Sequence, residues 1–475
     1  MNKLKVGLVC LMVDNFDGGK VQNFSNAVTA LGKHAEEHDY EFCFYPEFVM
    51  TYDDAEKAQK VLLMEKLDFL MIQSTTFPDG EALIKLAKCC KRIGLWGLPE
   101  ASYEGSNFIH SNNSFCGINM GASIIRNYLK ALDIKYKWFF GHPKDKLFIK
   151  RYDITIKALN VIKKIASSKV ALVGGIAPGF NDFYYDERLA TARLGIETNR
   201  GHEFSEIRDR AYSYSDTELA VMAEEFTNPK CCTKDVTKED LIAAARYYRA
   251  YKEFAEENNY DALAISCWPQ IKGETLACSI IGKLNQNGIP AACEGDLPGA
   301  VSMLMLHYLT GKPGTLMDMC AFDEEDETVL MWHCGPSPEY YADDGGLKTT
   351  CSYQPNLAGE TLRYGLINKM RFKPGPVTFM RLTGEWDTLF LLDGKSVDYA
   401  KDSADGSGGW IGSLRLNRSS IGVLDFANTV LVQGFQHHYP MMEGDLTEEL
   451  MELSAWLGLK EFKKVSYENY LQNST

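Results

Sequence analysis

Three acidic side chains sit where a chain does chemistry. In "GIPAACEGDLPGA" (288–300), Glu294 follows a short apolar run and Asp296 comes two residues later. "IPAAC" is strand-like, and "AVSMLMLHYLTG" has helical length and ends at Gly311, the residue type that closes a helix. Asp296 precedes Leu297 and Pro298, the N-cap position ahead of a first-turn proline, so its expected job is to start the helix. Glu294 falls at the carboxyl end of the strand, the edge where open α/β sheets bind ligands, and the positive helix end favours its ionised form. After the helix, "KPGTLMDM" is another short apolar run, and it reaches Asp318. Strand, helix and strand predict a right-handed crossover that sets Glu294 and Asp318 at adjacent strand ends, about 5 Å apart. Carboxylates so placed repel unless they share a proton or hold a cation.

A third donor must come from elsewhere, and histidine is the natural type. "QGFQHHYP" carries His437 and His438 just after a strand-like run, and "LMWHCGPSP" carries His333. Neighbouring residues on a strand point to opposite faces, so at most one of the adjacent pair is expected to face a given site. Two carboxylates and an imidazole form a hard, oxygen-rich set that suits Mn²⁺ or Mg²⁺ better than structural zinc.

The elements that would position these groups are legible along the chain. "KLKVGLVCL" and "SSKVALVGGI" each lead from a basic residue into a continuous apolar run, as central parallel strands buried on both faces do. "YEFCFYPEFV", "LDFLMIQSTT" and "IGLWGLP" follow the first, and "RLGIETN", "YDALAISCW" and "GIPAACE" the second, with helical stretches between. This alternation predicts two doubly wound, Rossmann-like α/β domains, over 1–165 and 166–320, joined through the helical "DITIKALNVIKKIASS". Residues 321–475 alternate apolar and polar positions around Gly, Asp and Asn turns in "GPVTFMRLTGEWDTLFLLDGKSVD", "GGWIGSLRLN" and "ANTVLVQGFQHH", which predicts an antiparallel, barrel-like β domain. "LTEELMELSAWLGLK" is the last clear helix. "VGGIAPGF" is Gly-rich after a strand but lacks the spacing of a phosphate-binding loop, so it reads as a structural turn.

The chain has 475 residues, too many for one hydrophobic core, and its net charge of -14 argues against nucleic-acid and anionic-membrane partners. Its 13 cysteines form no CxxC pair, so reduced, mostly buried thiols and a cytoplasmic setting are expected. The N-terminus reads as a first strand rather than a signal peptide, and no apolar run approaches the roughly eighteen residues of a membrane span.

"CEGDLPGAVSMLMLHYLTGKPGTLMD", "LMWHCGPSP", "GPVTFMRLTG" and "QGFQHHYPMMEGDLTEELMELSAWLGL" resemble segments of the L-fucose isomerase and L-arabinose isomerase superfamily. In L-fucose isomerases a metal-binding Glu follows a strand and a metal-binding Asp lies 24 residues later, the separation of Glu294 and Asp318. The superfamily's metal-binding His lies shortly before the C-terminal helix, and in arabinose isomerases it is the second of a pair, which points to His438. The resemblance implies a metal-dependent aldose–ketose isomerase working through a cis-enediol, with Mn²⁺ (or Mg²⁺ or Co²⁺) on Glu294, Asp318 and His438. It implies that Glu294 and Asp318 are the acid/base pair, that Gln270 hydrogen-bonds the sugar and that Trp268 walls the site. His333 becomes a hydroxyl-binding candidate. His142 would reach a neighbouring subunit's site, since the superfamily forms homo-oligomers, hexamers among them, with sites at subunit boundaries. The implied substrates are a hexose, a deoxyhexose such as L-fucose, or a 6-substituted hexose such as sulfoquinovose, for which Arg381, Arg415 and Arg418 are candidate sulfonate partners. A pentose isomerase and a non-catalytic sugar-binding protein are the competing readings.

Overall fold

Five strands of the first part of the chain form a parallel sheet: β1 (Lys5–Leu11), β2 (Glu41–Phe44), β3 (Phe69–Ser74), β4 (Arg92–Gly97) and β5 (Lys135–Phe140), in the order β2-β1-β3-β4-β5. β1 is buried along almost its whole length and β3 throughout, as expected for strands covered on both faces. The helices between them start where the local chemistry says they should. Before Tyr52–Met64, Thr51 accepts from the Asp54 amide while the Asp54 carboxylate accepts from the Thr51 amide, a complete capping box. This computed structural model describes residues 3–16, 19–100, 112–226, 231–268, 271, 274–355, 358–398 and 406–468. The chain divides into two units, Met1–Lys163 and Lys164–Thr475.

The second unit opens with another parallel sheet, β6 (Lys169–Val173), β7 (Glu197–His202), β8 (Ala262–Ile265) and β9 (Ala291–Ala292), in the order β7-β6-β8-β9. The helix Lys238–Asn258 before β8 has its own capping box, Thr237 with Asp240, and ends at Asn259 in the left-handed conformation. The remaining strands are β10 (Thr315–Asp323), β11 (Thr328–His333), β12 (Lys348–Pro355), β13 (Thr361–Arg371), β14 (Gly375–Leu382), β15 (Thr388–Val397), β16 (Ser407–Leu416), β17 (Ser419–Ser420), β18 (His438–Glu443) and β19 (Lys460–Glu461). Six of them, in the order β16-β11-β10-β18-β14-β15, close on themselves because β15 also pairs with β16, and every pairing around that ring is antiparallel. Outside it, β13 joins β16 and β19 joins β15 in parallel, so the whole sheet is mixed rather than purely antiparallel.

Two local expectations are corrected. β10 is not a neighbour of β9: it leaves the parallel sheet and pairs with β11 and β18, so no crossover links Glu294 and Asp318 within one sheet. β9 is only two residues long, and β10 finds nine residues' worth of ladder in the ring instead. The stretch before the histidine pair is a helix, Val423–Val432, not a strand. Val423, Phe426, Ala427 and Val430 recur at helical spacing and are the buried face. Among the described residues no helix is long and apolar enough to cross a membrane.

Candidate metal centre

Glu294 stands at the end of β9 with φ +60°, followed by Gly295 at φ +73°. A non-glycine residue in that region costs about 1–3 kcal/mol and persists only where its surroundings impose it. Here they do. The Ala177 amide donates to the Glu294 carbonyl and the Gly295 amide donates to the Ile265 carbonyl, each at 3.0 Å. A Cβ on Gly295 would lie 2.3 Å from the Gly175 carbonyl oxygen, so the Gly-rich turn after β6 packs where only glycine fits. "VGGIAPGF" is thus the structural turn expected, and the surface against which the Glu294 turn is set.

Asp296 caps the helix Leu297–Thr310, accepting from the Gly299 amide at 2.9 Å. It does more than the sequence implied. The Arg381 guanidinium, on β14, grips it with two hydrogen bonds of 2.6 and 2.8 Å, and both side chains are fully buried. Its Oδ2 also lies 3.0 Å from His438 Nδ1. Burial opposes ionisation of Asp296, but the Arg381 charge and the His438 hydrogen bond outweigh it and hold the carboxyl well below its usual range. The ionised Asp296 accepts a hydrogen bond from Nδ1–H of His438, which fixes the ring and leaves Nε2 as the atom free to hold a proton or to ligate a cation.

Nε2 points at both other carboxylates. His438 Nε2 lies 3.3 Å from Glu294 Oε2 and 3.6 Å from Asp318 Oδ1. Asp318 and His438 are direct cross-strand partners on β10 and β18, which puts both side chains on one face. Among the described residues, His438 Nε2 and Asp318 Oδ1 are buried without a hydrogen-bond partner. Two carboxylates converging on one imidazole nitrogen call for a positive charge there, from a proton on Nε2 or from a cation. The electrostatics say the same: burial opposes ionisation of Glu294, but the facing imidazoles of His437 and His438 hold it at about 2, while the carboxylates raise His438 against burial. Two overlapping groups could hold an ion here, Cys293, Glu294, His333 and His438, and Asp318, His437 and His438.

His437 corrects the expectation that only one of the pair faces the site. β18 begins at His438, so strand alternation does not govern its predecessor. His437 Nε2 lies 3.3 Å from Glu294 Oε2, and its Nδ1 donates to Asp182 Oδ2 at 2.7 Å. His333 is buried, with Nε2 3.1 Å from the Cys293 thiol and its ring 5.3 Å from that of His438. Trp268 lines a cavity of about 350 Å³ together with Glu294, Phe180, Cys278, Ser352 and Tyr364. Gln270 lies outside the described residues. His142 is exposed in the first unit, just after β5.

The three arginines offered for a sulfonate are committed elsewhere. Arg381 is buried on Asp296, Arg415 pairs with Asp393 and Asp445, and Arg418 pairs with Glu448. Sequence reasoning missed that role of Arg381, and missed Asp182 and Phe183. The Phe183 ring stacks on His438 at 4.4 Å and flanks His437 at 4.5 Å. The segment is tied to the ring by the Asp186 amide donating to Gly384 O and by Trp386 Nε1 donating to Asp186 O. Its only sequence signal was position: "GFNDF" follows the turn after β6, at the carboxyl edge that also carries Glu294.

No family model matches the chain. The chain is 26% identical over 402 residues to the sulfoquinovose isomerase of Priestia megaterium, covering 83% of this chain and 85% of that one. It is 28% identical over 404 residues to the sulfoquinovose isomerase of Clostridium sp. (strain MSTE9), covering 82% and 85%, and 25% identical over 413 residues to that of Alkalicoccus urumqiensis. These relatives, matched over most of their length, support the resemblance to fucose and arabinose isomerase-like sugar isomerases.

Proposed function

We propose that this chain, a relative of sugar isomerases, interconverts an aldose and its ketose through a cis-enediol, with a divalent cation held by Glu294, Asp318 and His438. The observation that carries the reading is the meeting of His438 Nε2 with two carboxylates, with His438 Nε2 and Asp318 Oδ1 both buried and unpaired. The donor set fits a hard cation such as Mn²⁺, Mg²⁺ or Co²⁺. Hydrogen bonding to Cys267 and burial keep the Cys293 thiol protonated, which weakens the softer alternative around it. When bound, such a cation would polarise two adjacent sugar oxygens and stabilise the charge that develops on deprotonation.

The protein's own groups do the rest. Glu294 lines the cavity and stays ionised, so it is the carboxylate that meets the sugar and takes the C2 proton. Asp318 serves the opposite proton transfer. Asp296 fixes the tautomer of His438, and Asp182 orients His437 beside Glu294. Trp268 and Phe180 give the sugar an apolar wall, and Ser352 and Tyr364 line the same cavity.

The substrate class is a hexose, a deoxyhexose or a 6-substituted hexose, and the names of the relatives favour the 6-sulfonated glucose, sulfoquinovose. The test is a panel of aldoses, including glucose and sulfoquinovose, incubated with Mn²⁺ and followed by NMR. Ketose should form from sulfoquinovose and stop on addition of EDTA. No ketose from any aldose at full Mn²⁺ loading would overturn the reading.

A further inference from the structure

The first unit holds a second group of metal-ligating side chains, unrelated in sequence to the first. His34 and His38 lie four residues apart at the end of the helix Lys20–Glu37, a spacing that puts both on one face. Their rings stack at 4.1 Å. Asp153, from the helix Lys146–Ile165, brings Oδ1 within 2.5 Å of His34 Nε2. The ligand atoms of all three residues lie within 4.8 Å of one another.

His34 is oriented from behind. Its Nδ1 lies 3.0 Å from the Tyr40 hydroxyl, which is 3.1 Å from the Tyr152 hydroxyl, and both tyrosines are buried. A fixed second nitrogen is the arrangement that aims a ligating histidine. Nε2 is thereby turned toward Asp153 and a cavity of about 560 Å³ that His38 also lines. Of the lysines on that cavity, Lys33 is engaged by Glu37 at 3.4 Å.

We infer that His34, His38 and Asp153 form a site for a divalent transition-metal ion of the Zn²⁺ class. Two imidazoles and a carboxylate are the borderline donors such ions prefer, and the cavity leaves a fourth position for water. The ion would clamp the first long helix of the unit to its last, so its effect is on stability and not on turnover.

The full-length protein, stripped with EDTA, is titrated with ZnCl₂ against a chromophoric chelator. Wild type, His38→Ala and Asp153→Asn are compared, with Glu294→Gln as the variant that disables the other cluster. His38→Ala and Asp153→Asn should each lose one bound equivalent, or weaken it about tenfold or more, while Glu294→Gln retains it. Zn²⁺ should also raise the melting temperature of wild type and not of His38→Ala. His38 is exposed, so its replacement leaves the fold intact, which circular dichroism checks. If either site variant binds Zn²⁺ as wild type does, the assignment is wrong.

Discussion

Asp296→Asn separates what Asp296 does for the fold from what it does for the site. Asparagine caps helices as well as aspartate, so the bond to the Gly299 amide is kept and the cap drops out of the comparison. What is lost is the charge opposite Arg381, in a pair that is fully buried on both sides. Removing one member of such a pair leaves an uncompensated charge and costs about 3–5 kcal/mol. The amide oxygen can still accept one guanidinium N–H, so the low end, about 3 kcal/mol, is expected. At about 2 °C per kcal/mol for a unit of this size, melting should fall by about 6 °C. The second effect is on His438. An amide N–H facing Nδ1 would turn the ring to the tautomer with its proton on Nε2, where the lone pair should meet the cation. Mn²⁺ affinity should then drop about 10- to 100-fold, the cost typical of an altered outer-shell partner. Differential scanning fluorimetry and a Mn²⁺ titration followed by electron paramagnetic resonance read the two effects separately. A variant with unchanged melting and unchanged Mn²⁺ affinity would refute the role assigned to the buried carboxylate.

Three further outcomes follow from the same geometry. Glu294→Gln and Asp318→Asn should each lower kcat by at least about 10²- to 10⁴-fold, because each removes a proton-transferring group; near-normal ketose formation with added Mn²⁺ would count against the two-carboxylate mechanism. Gly295→Ala forces a Cβ to 2.3 Å from the Gly175 carbonyl at φ +73°, so it should reduce both melting temperature and kcat, and an unaltered variant would show that the turn does not set Glu294. The metal-free protein should lose stability as pH rises. Burial lowers His437, but Glu294 and Asp182 outweigh it and raise its pKa to about 9, so the stabilisation is full below the unfolded value of about 6.5 and vanishes through about 9. Melting in EDTA across that window should show the slope, and His437→Ala should flatten it.

Residues that obey a local rule are legible from the chain alone. Continuous apolar runs announce β1, β3 and β8, because a strand covered on both faces has no polar side to show. Asp296 before Leu297 and Pro298 announces a helix start, because capping needs only residues three apart. The helix Val423–Val432 also obeys a local rule, the spacing of Val423, Phe426, Ala427 and Val430, and its β-branched residues hide it.

The sequence by itself determined most of the strand-and-helix grammar and the cap that Asp296 makes, since each depends on neighbours a few residues away, whereas the turn that holds Glu294 is set by Gly175, Ala177 and Ile265 from elsewhere in the fold. Tertiary structure decided which groups meet. His438 stands directly across from Asp318 because β10 and β18 pair in a register that sets the two opposite each other, a choice made by closure of the whole ring. Arg381 meets Asp296, and Asp182 meets His437, for the same reason: each partner lies far away along the chain, and no periodicity encodes which distant side chain a buried carboxylate will neutralise.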